Sequence, residues 1–267
     1  VGYATEEQLN NDLDFAADFL QQLANQELKD LLHAKLRDVA DTYEIFRMEQ
    51  LIRDADVSIL KESKSSLNRE LRSLNELLNK HLFAASGYSD FDEWLAIHQP
   101  FHWLAEFYQI MHNSKGFDVV IGNPPYVVYT EESCGYRIPS SYVTRDCSNL
   151  YAFCIERSNV ILSAAGRFGM IVPNSSISAN KMQPVQKEIT IGKCCWISNY
   201  SWRPSKLFEG ADMLLAIIIN SPAKSSNSFV KSSIYQKWYN EYRKVLFQNI
   251  RYNDVTNCMI EGSIPKA

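Results

Sequence analysis

Through the N-terminal part of the chain the apolar residues fall at helical spacing. Leu9, Leu13, Ala16, Leu20 and Leu23 recur at intervals of three and four, as do Leu28, Leu32, Leu36, Val39 and Tyr43. That period belongs to a helix with one buried face. Thr5 followed by Gln8 reads as a capping box that opens the first helix. The serine-rich residues 63–66 interrupt the pattern, and a third helix is predicted after them with Leu67, Leu71, Leu74, Leu78 and Leu82 on its apolar face. Gly87 with Ser89 and Asp90 marks the next break. Residues 1–99 contain no proline and no glycine besides Gly2 and Gly87. An antiparallel helical hairpin or small bundle follows. Its leucine stripes are core-forming, and taken alone it is a structural or interaction module.

After Gly116 the period changes. Residues 117–121 (Phe-Asp-Val-Val-Ile) form a short apolar run closed by Gly122, as expected of a buried parallel strand. A helix is predicted over residues 149–164, with Tyr151, Ile155, Ser158 and Leu162 on one side and Gly166 at its end. A second buried strand, residues 168–172, stops at Pro173, and residues 196–200 and 213–219 are two further strand candidates. Strands alternating with helices predict an α/β domain with a mainly parallel sheet. From Ser221 the chain turns polar and serine-rich, which predicts a boundary. Beyond it, Tyr235, Trp238, Tyr239, Tyr242 and Tyr252 suggest the start of another domain. The expected organisation is a helical region over residues 1–99, an α/β region over 100–222, and a further domain from 223 to 267.

Composition narrows the class. Of 267 residues 46% are hydrophobic and 22% charged, which suits a globular protein of one large domain or somewhat more. The longest apolar run, residues 213–219, is strand-sized and too short to span a bilayer. The polar, acidic N-terminus does not read as a secretion signal, and a cytoplasmic location is expected, with no membrane partner. The first residue is not methionine, which points to a longer parent chain. Cysteines 134, 147, 154, 194, 195 and 258 form no C-x-x-C pair, and the histidines do not fall beside them at ligand spacing. Reduced thiols and no structural metal are expected. Net charge is −4, yet basic against acidic residues number 11 to 20 in 1–115, 9 to 8 in 116–222 and 7 to 3 in 223–267. Positive charge thus grows toward the C-terminus, where a phosphate backbone can be met, although a solvated surface also accounts for the gradient.

The candidate chemistry lies at Asn123-Pro124-Pro125-Tyr126, directly after the strand that ends at Ile121. Ligand sites in open α/β sheets lie beyond the carboxyl ends of strands. Two prolines fix φ and remove two backbone donors, leaving a stiff segment rich in acceptors. The Asn123 side-chain oxygen and the Pro124 carbonyl can together accept both hydrogens of a planar amino group, drawing its nitrogen toward a nucleophilic sp3 geometry. Tyr126 offers a face on which a base can stack, worth about 1–3 kcal/mol. The same tetrapeptide can also be an ordinary tight surface turn.

The flanking residues resemble a known family. Residues 101–107 (Phe-His-Trp-Leu-Ala-Glu-Phe) and 116–127 (Gly-Phe-Asp-Val-Val-Ile-Gly-Asn-Pro-Pro-Tyr-Val) resemble the amino-methyltransferases of type IIG restriction-modification enzymes and related phage-defence methylases. Residues 149–157, then 166–174 ending in Ile171-Val172-Pro173-Asn174, are similar to that family's next block, and Leu207-Phe208 resembles a later one. The resemblance covers about residues 100–222. It implies an incomplete Rossmann-like methyltransferase sheet preceded by a helical insertion, acting on adenine N6 in double-stranded DNA with S-adenosyl-L-methionine as methyl donor. By that resemblance Asn123 and Pro124 hold the target amine and Tyr126 stacks on the flipped base, in a loop that Pro125 helps to stiffen. Phe208 stacks on its other face or serves as a core aromatic. Asn149, Tyr151 and Phe153 lie near the cofactor or pack the helix. A nuclease or specificity domain or subunit is the implied partner.

One feature departs from the family. Its glycine-rich cofactor turn has no counterpart before Gly116, so the chain resembles a C-terminal portion of the methylase, starting inside the insertion and stopping inside a target-recognition region. Two other readings stay open: an amino-methyltransferase of protein glutamine or RNA guanine, which shares the Asn-Pro-Pro-Tyr loop, and a non-catalytic helical scaffold with a degenerate α/β domain.

Overall fold

The computed structural model describes residues 26–52, 56–136, 138, 140–224, 227–260 and 262–264. The first predicted helix, with its Thr5–Gln8 capping box and Leu9 to Leu23 stripe, lies outside the described residues. The chain forms two compact units, residues 1–115 and 116–267.

In the first unit helix α1 (Gln26–Leu51) and helix α2 (Val57–Ser86) make the expected antiparallel hairpin. Leu32, Leu36, Val39 and Tyr43 of α1 are buried, as are Leu67, Leu74 and Leu78 of α2. An ion pair of 3.0 Å joins Lys35 of α1 to Glu70 of α2. That hydrogen bond is the main cause that holds the Lys35 ammonium above its ordinary pKa and the Glu70 carboxyl below its own.

The serine run does not interrupt the helix. Residues 63–66 lie inside α2, whose start is Val57 and whose N-cap is Asp56, accepting from the Ser58 amide. A serine breaks a helix when its hydroxyl competes for backbone groups. Here the buried Ser63 hydroxyl bonds back to the Leu60 carbonyl at 3.1 Å, and Ser66 accepts from Arg69 at 3.1 Å. The Ser63 hydroxyl thus bonds along the helix instead of drawing the backbone out of it. The expected break at Gly87 is present, with φ of 78° at that residue. Helix α3 (Phe91–His98) follows, its N-cap Asp90 accepting from the Glu93 amide.

The second unit is a six-stranded sheet with helices, an α/β arrangement. Its strands are β1 (Phe117–Gly122), β2 (Leu162–Pro173), β3 (Lys193–Tyr200), β4 (Leu215–Pro222), β5 (Phe229–Gln236) and β6 (Tyr252–Asp254), in the spatial order β1-β2-β4-β3-β5-β6. β1 runs parallel to β2 and β3 to β5, while β2–β4, β3–β4 and β5–β6 are antiparallel. The sheet is therefore mixed, where a mainly parallel one was expected. The cause is the link from β3 to β4, which returns the chain alongside itself through a loop without a crossover helix.

Three further expectations shift. β1 is an edge strand with Val119 57% and Ile121 81% exposed, so its apolar run does not mean burial. The predicted helix ends earlier, as α4 (Leu150–Ile161), and β2 starts at the next residue, with Gly166 inside it. The serine-rich stretch does not end the α/β unit, because β5 beyond it pairs with β3.

The core lies on the face of the sheet covered by α4 and helix α5 (Gln183–Thr190). Phe168, Met170 and Val172 of β2 meet Ile197 of β3 and Ile218 of β4 there, under Ile155 of α4 and Val185 and Ile189 of α5. A smaller cluster of Tyr200, Leu207, Ala211, Leu215, Trp238 and Leu246 sits where the carboxyl ends of β3 and β5 meet the amino end of β4.

Two glycines let β1 dock. The register slips between Phe117↔Leu162 and Val119↔Arg167, crowding the start of the ladder. A Cβ on Gly116, where φ is 126°, would lie 2.5 Å from the Ser163 amide nitrogen, and one on Gly166 would lie 2.8 Å from the Phe117 carbonyl oxygen. Gly116→Ala should therefore destabilise the α/β unit by more than the ~1 kcal/mol of an ordinary glycine substitution. Chemical denaturation of the purified protein reads this; an unchanged midpoint would remove Gly116 from the docking account.

Candidate functional site

Because β1, β2, β3 and β5 point the same way, their carboxyl ends share one rim of the sheet. The tetrapeptide leaves β1 at that rim. Pro124 is buried, while Asn123 and Pro125 are exposed. The prolines have no amide hydrogen to satisfy, so this stiff corner can sit at a strand end without competing for the ladder.

Tyr126 ties the corner down. Its ring is half-buried and packs against both apolar clusters. Its hydroxyl lies 2.6 Å from the Asn123 side-chain oxygen and 3.0 Å from the Ile171 carbonyl of β2. A phenol carries one proton, so the two acceptors share it. Burial pushes the Tyr126 phenol up to about 12, so it stays a donor well above pH 10. The Asn123 oxygen is thus not wholly free, as the sequence alone suggested. One lone pair is engaged from inside the loop, and the second stays available on an exposed side chain.

Behind the corner the backbone is sewn to the start of α4. The Leu150 amide bonds the Val127 carbonyl at 3.0 Å, and the Tyr129 amide bonds the Ser148 carbonyl at 3.0 Å. Asn149, the N-cap residue of α4, spends its side-chain amide on the Cys147 carbonyl at 2.9 Å. Tyr151 is 2% exposed, with its hydroxyl near Ser175 and Met182, and Phe153 is 5% exposed, edge-on to Tyr129 and Tyr142. Their side chains hold α4 in the core and present no face to a ligand. Of the three cofactor candidates, only Asn149 is even partly exposed.

Phe208 lies in the β3–β4 loop, half-buried against the same small cluster as Tyr126. Arg243 holds this loop by donating to the carbonyls of Lys206, at 3.0 Å, and Leu207. The fold thus brings Asn123, Tyr126 and Phe208 to one rim from strand ends far apart in sequence. Sequence reasoning missed Arg243 and the Ile171 carbonyl, because neither a loop clamp nor a backbone acceptor leaves a motif. It also missed a buried polar chain at the same rim. Asn174 donates to Asn199 at 2.8 Å, Asn199 donates to the Ser233 carbonyl at 2.6 Å, and Tyr235 donates to Asn174 at 2.7 Å. These bonds join the ends of β2, β3 and β5 with their polar groups satisfied. Asn174, closing the Ile-Val-Pro-Asn segment, was the one visible clue.

Comparison with known proteins gives the family. A putative type II restriction enzyme and methyltransferase of Methanocaldococcus jannaschii is 29% identical over 171 residues, 60% of this chain. The matched part spans 13% of that relative's length. Among solved structures, a nuclease-deletion mutant of the Type ISP restriction-modification enzyme LlaGI with a DNA substrate mimic matches 74% of this chain and 23% of its own, at 13% identity and a TM-score of 0.46. A modification subunit of a putative type I restriction enzyme from Vibrio vulnificus YJ016 matches 86% of this chain and 71% of its own, at 11% identity and a TM-score of 0.38. The family model described as Eco57I restriction-modification methylase matches residues 20–200, and the chain belongs to that family.

Proposed function

We propose that the protein containing this chain transfers a methyl group from S-adenosylmethionine to N6 of adenine in double-stranded DNA, as part of a restriction-modification or phage-defence enzyme. The observation that carries this reading is the rigid Asn-Pro-Pro-Tyr corner at the carboxyl end of β1, with Asn123 exposed and anchored by Tyr126. Family membership supports the methylase class. The charge-neutral acceptors of the corner support an exocyclic amine as the group held.

In this reading the adenine leaves the base stack, because its N6 is out of reach inside a duplex. The free lone pair of Asn123 and the Pro124 carbonyl accept the two N6 hydrogens, and Tyr126 and Phe208 flank the ring. Holding the amine in line for attack supplies much of the rate, and no strong base is required of this chain. The excess proton leaves the nitrogen after it has become acidic. The donor's cradle is a separate matter. Tyr151 and Phe153 are buried and do not fit it, and residues 1–115 hold no glycine-rich turn. The part assigned to this chain is therefore at the amine. A nuclease or specificity domain or subunit remains the proposed partner.

In the full-length protein, Asn123→Ala should lower methyl incorporation into DNA by about 10²-fold or more, the scale seen when one preorganised polar contact is removed, while the melting temperature holds. Digested DNA analysed for N6-methyladenine gives the readout; retained activity, or methylation appearing only on RNA or protein substrates, sinks the adenine reading. Tyr126→Phe keeps the ring and frees Asn123, so we expect a smaller rate loss and a stability cost of about 1 kcal/mol. The sign of the pH effect follows from the raised phenol. Its folded value of about 12 exceeds the ordinary 10, so its contribution is whole below pH 10 and lost as pH rises toward 12. Urea midpoints across that window should fall less in Tyr126→Phe than in the unsubstituted protein.

A further inference from the structure

We infer that the cleft beyond β3 and β5 is a cradle for a backbone phosphate of the DNA strand whose adenine is held at the β1 corner, an inference that rests on the function proposed above. The cleft has a volume of about 700 Å³ and is lined by Ser201, Trp202, Arg203, Pro204, Lys206 and Lys237. Three of these six carry positive charge and none is a carboxylate, in a chain whose net charge is −4.

The cations are arranged to meet an anion. The Arg203 guanidinium carbon stacks 4.0 Å from the centre of the Trp202 ring. A guanidinium held over a ring by its face keeps its edge donors available to phosphate oxygens. Lys206 is paired with Asp212, whereas among the described residues no ion pair engages Arg203 or Lys237. The floor is rigid: the Ser201 amide bonds the Gln236 carbonyl at 3.0 Å, closing the ends of β3 and β5 together.

Position supplies the link to the target base. β1 and β3 are three strand steps apart in the sheet, about 14 Å at the usual interstrand spacing. At a rise of about 3.4 Å per nucleotide, that distance reaches a phosphate within roughly four nucleotides of the held adenine. Such a contact fixes the register of the strand without reading its sequence.

The test uses the full-length protein and random-sequence duplex DNA, titrated with salt by fluorescence anisotropy. Arg203→Gln with Lys237→Gln should lower the magnitude of the slope of log affinity against log salt by about 0.9, the value of one phosphate contact. KM for DNA should rise roughly 10-fold at low salt with kcat unchanged. Lys231→Gln, on β5 away from the rim, is the control and should leave the slope near the unsubstituted value. Should the double variant melt early, each single substitution is expected to lower the slope by roughly half as much. An unchanged slope in a protein that still methylates DNA overturns the cradle alone, as does an equal fall in Lys231→Gln. No DNA binding or methylation by the unsubstituted protein overturns the adenine reading beneath it.

Discussion

The parallel ladder between β1 and β2 is the constraint on which the candidate site depends. Among the described residues β1 pairs with β2 alone, and its Val119 and Ile121 are exposed. What fixes it is the close backbone approach at Gly116 and Gly166, where the turn out of α4 closes over the start of the strand. From there the position of the Asn-Pro-Pro-Tyr corner is inherited. The Tyr126 hydroxyl, shared between Asn123 and the Ile171 carbonyl, refers the corner back to β2 a second time. An edge strand with one neighbour thus carries a loop placed by two separate contacts to that neighbour.

The electrostatics of the rim are divided between its two ends. At the β1 end the groups are neutral: an amide oxygen, proline carbonyls and a phenol whose pKa burial raises further. Oxygen acceptors can hold both hydrogens of an amino group and leave its lone pair facing away from them. At the β3 and β5 end lie the cations Arg203, Lys206 and Lys237, with Arg203 over the Trp202 ring. Between them the Asn174–Asn199 chain ties β2, β3 and β5 together with its polar groups paired. A buried polar network of this kind is costly when half-satisfied and rigid when complete, so it keeps the strand ends that frame the rim in register.

The helical unit is the simpler case. Its leucine and tyrosine spacing was readable because a two-helix contact asks for little beyond a stripe on each partner. The serine run shows the limit of that reading. Whether a serine breaks a helix depends on where its hydroxyl bonds, and Ser63 bonds back to Leu60.

From the sequence alone came the change from a helical region to an α/β region, the placement of Asn123, Pro124, Pro125 and Tyr126 after a strand, and the family resemblance. These rest on local signals: period, proline stiffness and contiguous motif. Strand order, the mixed sense of the sheet, the edge position of β1 and the inclusion of β5 were decided by tertiary structure. Pairing partners are chosen by hydrogen bonds between distant segments, and apolar composition does not distinguish a central strand from an edge. The same reason explains Tyr151 and Phe153. An aromatic on a helix reads identically whether it faces a ligand or a core, and only the packing of α4 against the sheet showed that both face the core.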